Sequence, residues 1–166
     1  MDRYNERLIK IKPSPINVLA LLMCIVLFLV GALLVLLSPP LGVLIFSGSI
    51  ALIVICKDYL HQEIEFIITN GDIDVARIIA KKKRKPIGVL EANDITKMDW
   101  ATSERVKNDI DLGKIKVTEY VGIVPGDQVV AIYAGEGDKQ EIYVLDLDEK
   151  CVDHMKQVLK VKSEIK

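Results

Sequence analysis

The feature that most constrains the fold is a stretch without any charged side chain, which runs from Pro13 to Cys56. Within it, residues 16–37 form an apolar run of about 22 residues, and a helix needs about 20 to cross the hydrocarbon core of a bilayer. A secretory signal peptide has a shorter apolar core and a small-residue cleavage site, which this run lacks. We therefore predict a membrane-spanning helix here.

A second apolar run indicates that the chain returns through the membrane. Proline lacks an amide hydrogen and disfavours helix in the residue before it, so Ser38-Pro39-Pro40 should end the first helix. Residues 41–56 form the second span, and the two spans make a transmembrane hairpin over residues 16–60. Small residues in the spans suit close helix packing, either within the hairpin or between copies of the chain: Gly31, Gly42, Ser47, Gly48, Ser49 and Ala51.

The distribution of positive charge predicts the orientation of the hairpin. Residues 1–15 form a basic arm that carries Arg3, Arg7, Lys10 and Lys12, and Lys57 follows the second span. Because positive residues flank the cytoplasmic ends of membrane helices, we expect a two-span plasma-membrane protein with both termini in the cytoplasm. The spans contain no ionisable Asp, Glu, Lys, Arg or His, which disfavours a transporter or channel.

Residues 61–166 are predicted to form one soluble domain. Alternating apolar and polar residues predict about seven antiparallel strands, at 63–69, 73–80, 87–90, 95–98, 115–121, 128–134 and 141–147. Asn70-Gly71 is a strong hairpin signal between the first two. The polar stretch 99–114 predicts a long loop with room for one helical turn. A final helix, capped by Asp146 or Asp148, carries an apolar stripe from Cys151 to Leu159.

These elements define an α+β protein in which a transmembrane hairpin precedes a cytoplasmic β domain closed by a C-terminal helix. A curved sheet plugged by such a helix is the pleckstrin-homology-like architecture, and an unrelated α+β sandwich is the alternative. The segments 63–66, 69–75 and 77–85 resemble an uncharacterised clostridial-type family of small bacterial membrane proteins. That resemblance implies two transmembrane helices followed by a pleckstrin-homology-like domain, and it implies no catalytic residues.

One charge cluster stands out in the soluble domain, at Lys81, Lys82, Lys83, Arg84 and Lys85. From residue 57 onward, 18 Lys and Arg stand against 21 Asp and Glu, so the domain outside this cluster is acidic. An outward strand and its return, at about 3.3 Å per residue, would bring the cluster back towards the height at which the chain leaves the membrane. The cluster then predicts contact with anionic lipid, and a solvated turn is the plainer alternative.

Other candidate sites have ordinary structural explanations. Three Asp-x-Asp pairs, at 72–74, 109–111 and 146–148, coincide with turns or helix starts, where Asp is favoured. Cys151 and His154 are too few ligands for a zinc site, and three unspaced cysteines form no disulfide framework. We find no catalytic motif, so we predict no catalytic residue, no metal site and no cofactor.

The sequence therefore predicts a membrane-tethered, non-enzymatic interaction module. Its expected partners are anionic membrane lipids and either an unknown protein or a second copy bound through the transmembrane helices, with no nucleic acid. The first alternative is an accessory subunit of a larger membrane complex. An enzyme of unknown type comes third.

Overall fold

The computed structural model describes residues 4–126 and 128–165. The helices are α1 (Pro15–Leu37), α2 (Pro39–Asp58), α3 (Glu104–Asp111) and α4 (Glu149–Leu159). The strands are β1 (Tyr4–Ile11), β2 (Gln62–Thr69), β3 (Asp72–Ile79), β4 (Lys83–Leu90), β5 (Ile95–Trp100), β6 (Lys116–Tyr120), β7 (Gln128–Ala134) and β8 (Glu141–Leu147). Two compact units result. A helical unit comprises Lys12–Gln62 and Ile79–Lys83, and a β unit contains β1, Glu63–Ile78 and the chain from Arg84 onward.

The helical unit is the predicted hairpin. Both helices are long and apolar enough to cross a membrane, and only 6% of the most apolar segment of α1 and 11% of that of α2 is buried within the protein. Ser38 breaks the helix as predicted, and Pro39 occupies the first turn of α2, where its missing amide hydrogen costs nothing. The second helix extends beyond the apolar run 41–56 at both ends, since it begins at Pro39 and continues through Lys57 to Asp58.

Close contact between backbones holds α1 against α2. A Cβ atom on Gly31 would lie 2.8 Å from the Phe46 nitrogen, and one on Gly42 would lie 2.2 Å from the Val35 nitrogen. The rings of Phe28 and Phe46 stack with centroids 4.6 Å apart. Without a hydrophobic driving force in lipid, such van der Waals contacts are the main source of hairpin stability.

The β unit contains two four-stranded sheets, with strand orders β1-β2-β3-β4 and β5-β7-β8-β6. Strands β2 to β8 are the seven that the sequence predicts, and the α+β class is confirmed. Two details differ from the prediction. Strand β6 runs parallel to β8, so the second sheet is mixed rather than antiparallel. The segment predicted as a basic arm forms an eighth strand, β1, which pairs beside β2. The transmembrane hairpin is therefore inserted between two neighbouring strands of one sheet.

The main core lies between the two sheets and α4. Phe66 and Ile73 from the first sheet, Ile132 and Leu145 from the second, and Met155 from α4 are all fully buried. Asp148, one of the two predicted caps, begins α4 by accepting a hydrogen bond from the Cys151 amide at 2.8 Å. The other, Asp146, is instead a buried residue of β8.

The predicted long loop at 99–114 contains a two-turn helix, α3. Ser103 accepts the Val106 amide hydrogen at its N-terminus, and Val106 packs on the outer face of the second sheet. The Tyr133 hydroxyl donates a 2.7 Å hydrogen bond to Asp109, which ties the helix to β7. The prediction of a loop with one helical turn underestimated this helix, because the helix is polar apart from Val106 and Ile110 and its apolar stripe is too short to recognise.

We predict that Gly42→Ala and Gly31→Ala loosen the hairpin by about 1–3 kcal/mol, since each added Cβ overlaps backbone of the facing helix. Gly48→Ala is the matched control because nothing lies within 4 Å of its Cβ position. The Sγ atoms of Cys24 and Cys56 lie 3.6 Å apart, so oxidative cross-linking of these two thiols reports the packing. Slower cross-linking in the first two variants alone is expected, and equal rates in all three would contradict the close packing.

Candidate functional site

The basic cluster begins in a strained hairpin turn. Ala80 and Lys81 have φ values of 52° and 57°, and the Lys82 amide donates to the Ile79 carbonyl at 3.0 Å. Positive φ at both central residues is the geometry of a type I′ turn, which favours Asn and Gly. The β2–β3 turn has that geometry with Asn70 and Gly71, whereas the β3–β4 turn has it with Ala and Lys. Left-handed conformations cost such residues roughly 1–2 kcal/mol each.

A hydrogen bond joins this turn to the end of the membrane hairpin. The Ala80 amide donates to the His61 carbonyl at 2.8 Å, three residues beyond the last residue of α2. The Tyr59 carbonyl accepts bonds from the side-chain amides of Asn17 in α1 and Gln62, at 3.2 and 2.8 Å. The turn, the start of α1 and the end of α2 therefore belong to one hydrogen-bonded base within the helical unit.

This base carries a strong positive charge. Its basic side chains are exposed, and they are Lys12, Lys57, Lys81, Lys82 and Lys83. The sequence of the helical unit, residues 12–62 and 79–83, contains a single Asp or Glu, which is Asp58. Since Lys57 and Asp58 end α2, these ammonium groups surround the point at which the apolar segment gives way to polar chain. We call this group the basic base.

The five residues predicted as a lipid site do not have equal environments. Lys81 and Lys82 lie in the turn, while Lys83, Arg84 and Lys85 begin strand β4. Arg84 forms an ion pair with Glu65 of β2, and its charge is partly neutralised. Among the described residues, none of the four lysines takes part in an ion pair. The four lysines and the paired Arg84 therefore differ in their local environment, and contact of these five residues with lipid stays a prediction.

The basic residues of the N-terminal segment are also divided by the structure. Arg3 lies outside the described residues. Arg7 is half-buried, and it forms an ion pair with the buried carboxylate of Asp146 at 3.7 Å, within the β unit. Lys10 is exposed at the end of β1, and Lys12 joins the basic base. The predicted arm thus contributes one charge to the base by way of Lys12.

The basic base is a surface of point charges, whereas two titratable side chains of the β unit, Cys151 and Tyr143, stay uncharged. Burial raises the pKa of Cys151 to about 12, and burial together with a hydrogen bond to Glu141 raises the pKa of Tyr143 to about 12. Both stay protonated at neutral pH. Among residues 4–126 and 128–165, no three His, Cys, Asp or Glu side chains come together as a metal site would need. What this base can do is attract phosphate and other anionic head groups through hydrated ammonium groups.

A family model described as Bacterial PH-like domain (DUF6106) matches residues 1–164. The chain belongs to that family. The match covers the hairpin as well as the sheets. The predicted resemblance to a PH-like family is confirmed, while its clostridial character stays a prediction. No curated protein and no solved structure matches the chain.

Sequence reasoning located the lysines of this PH-like protein and missed what holds them. The hydrogen bond from the Ala80 amide to the His61 carbonyl joins two backbone groups, so the side chains of the sequence do not indicate it. The sequence predicted a turn between the strands here but not its left-handed geometry, because Ala-Lys carries no hairpin signal. Strand β1 had a weak sequence signal, since Ile9 and Ile11 alternate with polar residues. Its partner β2, however, lies across the whole membrane hairpin in sequence.

We predict that Ala80→Asn stabilises the protein by roughly 1 kcal/mol, because Asn accepts the left-handed conformation more readily than Ala. Thermal unfolding of the full chain in detergent should show a higher midpoint. Lys82→Asn in the same turn is the control, since its φ is not positive. The reciprocal change Asn70→Ala should lower the midpoint. A fall or no change for Ala80→Asn would show that the turn is not strained.

Proposed function

We propose that this PH-like protein is a membrane-tethered interaction module in which the basic base contacts anionic lipid head groups. The hairpin anchors the chain in the plasma membrane, with both termini cytoplasmic. The base is then on the cytoplasmic side, where the leaflet is negatively charged. The observation that carries the proposal is the bond from the Ala80 amide to the His61 carbonyl, which holds the lysine turn beside the end of α2.

The energy available is enough to orient a tethered domain. A basic residue near an anionic surface contributes about 1 kcal/mol, and the effect fades over a Debye length of about 8 Å. The four lysines from Lys81 to Lys85 therefore supply at most roughly 4 kcal/mol. Since the hairpin already removes the cost of bringing the protein to the membrane, this energy acts on the orientation of the domain alone. The face presented to the cytoplasm is then available to a protein partner.

The experiment compares the full chain in nanodiscs of neutral phosphatidylcholine with discs that also contain phosphatidylglycerol. The full chain is needed because β1, with Ile9 in the core, belongs to the folded domain. We expect slower amide hydrogen exchange at residues 80–86 in the anionic discs, reversed by salt. Replacing Lys81, Lys82, Lys83 and Lys85 by Gln should abolish that difference, while Arg84 is kept for its ion pair with Glu65.

The matched control removes the same charge from exposed lysines elsewhere in the β unit: Lys107, Lys114, Lys139 and Lys150, each replaced by Gln. It should keep the protection at residues 80–86. Protection that ignores the anionic lipid, or that both variants lose equally, would contradict contact between the basic base and the leaflet. The lysines would then be a solvated turn and strand.

The alternative function, an accessory subunit of a larger membrane complex, has one observation in its favour. Gly31 and Gly42 are used inside the hairpin, but a Cβ on Gly48 meets nothing within 4 Å. Ser47 and Ala51 are exposed beside it, so a smooth strip of α2 is open to another helix. This function predicts a stoichiometric membrane partner that co-purifies from native cells with the wild-type chain and not with Gly48→Leu. Equal recovery of the same proteins with both chains would contradict it.

A further inference from the structure

A second feature of the β unit suits a membrane surface, and it is apolar. The loop between β6 and β7 begins with residues 121–126, which have the sequence Val-Gly-Ile-Val-Pro-Gly and carry no charge, and Asp127 follows them in the sequence. Val124 is 84% exposed, more than any other large apolar side chain among the described residues, and Ile123 is 48% exposed. Pro125 beside them is exposed as well. We call residues 121–126 the apolar loop.

The apolar loop is held in place rather than free. The buried carboxylate of Asp146 accepts hydrogen bonds from the amides of Gly122 and Gly126, at 3.3 and 3.1 Å. A Cβ atom on Gly126 would lie 2.6 Å from that carboxylate, so a residue without a side chain is needed there. The loop is therefore built to keep Ile123 and Val124 exposed, although exposing them to water is unfavourable.

The chain ties this loop to the segment that enters the membrane. The Ile123 amide donates to the Lys10 carbonyl at 2.8 Å. Pro15, the first residue of α1, lies five positions beyond Lys10, and five extended residues span at most about 18 Å. Lys10 and Lys12 are exposed along this connection. An apolar tip bordered by lysines is the composition of a segment that sits at a lipid interface.

We infer that the apolar loop inserts Ile123 and Val124 into the interface of the same leaflet, as a second membrane contact of this protein. A protein partner fits the feature less well, because a specific protein interface buries about 800 Å² on each side. Two or three exposed side chains at a loop tip fall far short of that area. The insertion is driven by apolar burial, so it needs neither anionic lipid nor the lysines of the basic base, and it goes beyond the proposed function in this respect.

The test places an environment-sensitive nitrobenzoxadiazole label on Val124→Cys in the full chain. Leu112→Cys is the matched control, since Leu112 is an apolar residue of the same unit, 63% exposed, at the end of α3. Both carry Cys24→Ala and Cys56→Ala. Cys151 is retained because it is buried and its pKa, raised to about 12 by burial, keeps the thiol unreactive. The proteins are placed in neutral phosphatidylcholine nanodiscs, with and without doxyl-labelled lipid, at low and high salt.

We expect blue-shifted emission that doxyl lipid quenches for the label at 124, unchanged by salt, and neither effect at 112. No shift and no quenching at 124 would overturn the insertion. A blue shift without quenching would also overturn it, by showing that protein, such as a second copy, covers the loop. Quenching that is present at low salt and lost at high salt would also overturn it, by showing that charge rather than apolar burial holds the loop at the surface. Because the label is tested in neutral discs, its failure leaves the lysine experiment standing, and the reverse holds too.

Discussion

The first sheet, β1-β2-β3-β4, can form only if the chain returns to the place where it left that sheet. Strands β1 and β2 are neighbours, and between them the chain runs through α1 and α2. Neighbouring strands lie about 4.8 Å apart, so the two helix ends must also be close. Ser38 and Pro39 reverse the chain, and Gly31 and Gly42 let the two backbones approach. The pairing of β1 with β2 places Ile9 in the core of the β unit.

The same return concentrates charge at one place. Asn17 and Gln62 both donate to the Tyr59 carbonyl, and Ala80 donates to His61, so helix ends and turn form one base. The lysines there have a second physical role. Strand β4 is the open edge of its sheet, and lysines with Pro86 are what natural sheets use to prevent further pairing. Edge protection explains why charge is tolerated on β4. Edge protection does not account for the lysines of the turn beside the end of α2, and the proposed lipid contact does.

Several elements were predictable because their signals are local. The break at Ser38-Pro39, the turn at Asn70-Gly71 and the stripe of α4 each depend on residues within one or two helical turns of each other. Strand β1 and helix α3 were missed for the opposite reason. The partner of β1 is distant in sequence, and α3 is stabilised by Val106 packing on the second sheet and by Tyr133 bonding Asp109. Nothing within either segment reveals these contacts.

The sequence by itself determined the apolar spans, the hairpin break, the position of the lysine cluster and most of the strands, because hydrophobic pattern, proline chemistry and charge are properties of short segments. The tertiary structure decided which lysines are unpaired, that Arg84 belongs to Glu65, that β6 pairs parallel to β8, and that Asp146 holds an exposed apolar loop. Each of these depends on two segments far apart in the chain meeting at hydrogen-bond or contact distance. Only the folded backbone brings them there.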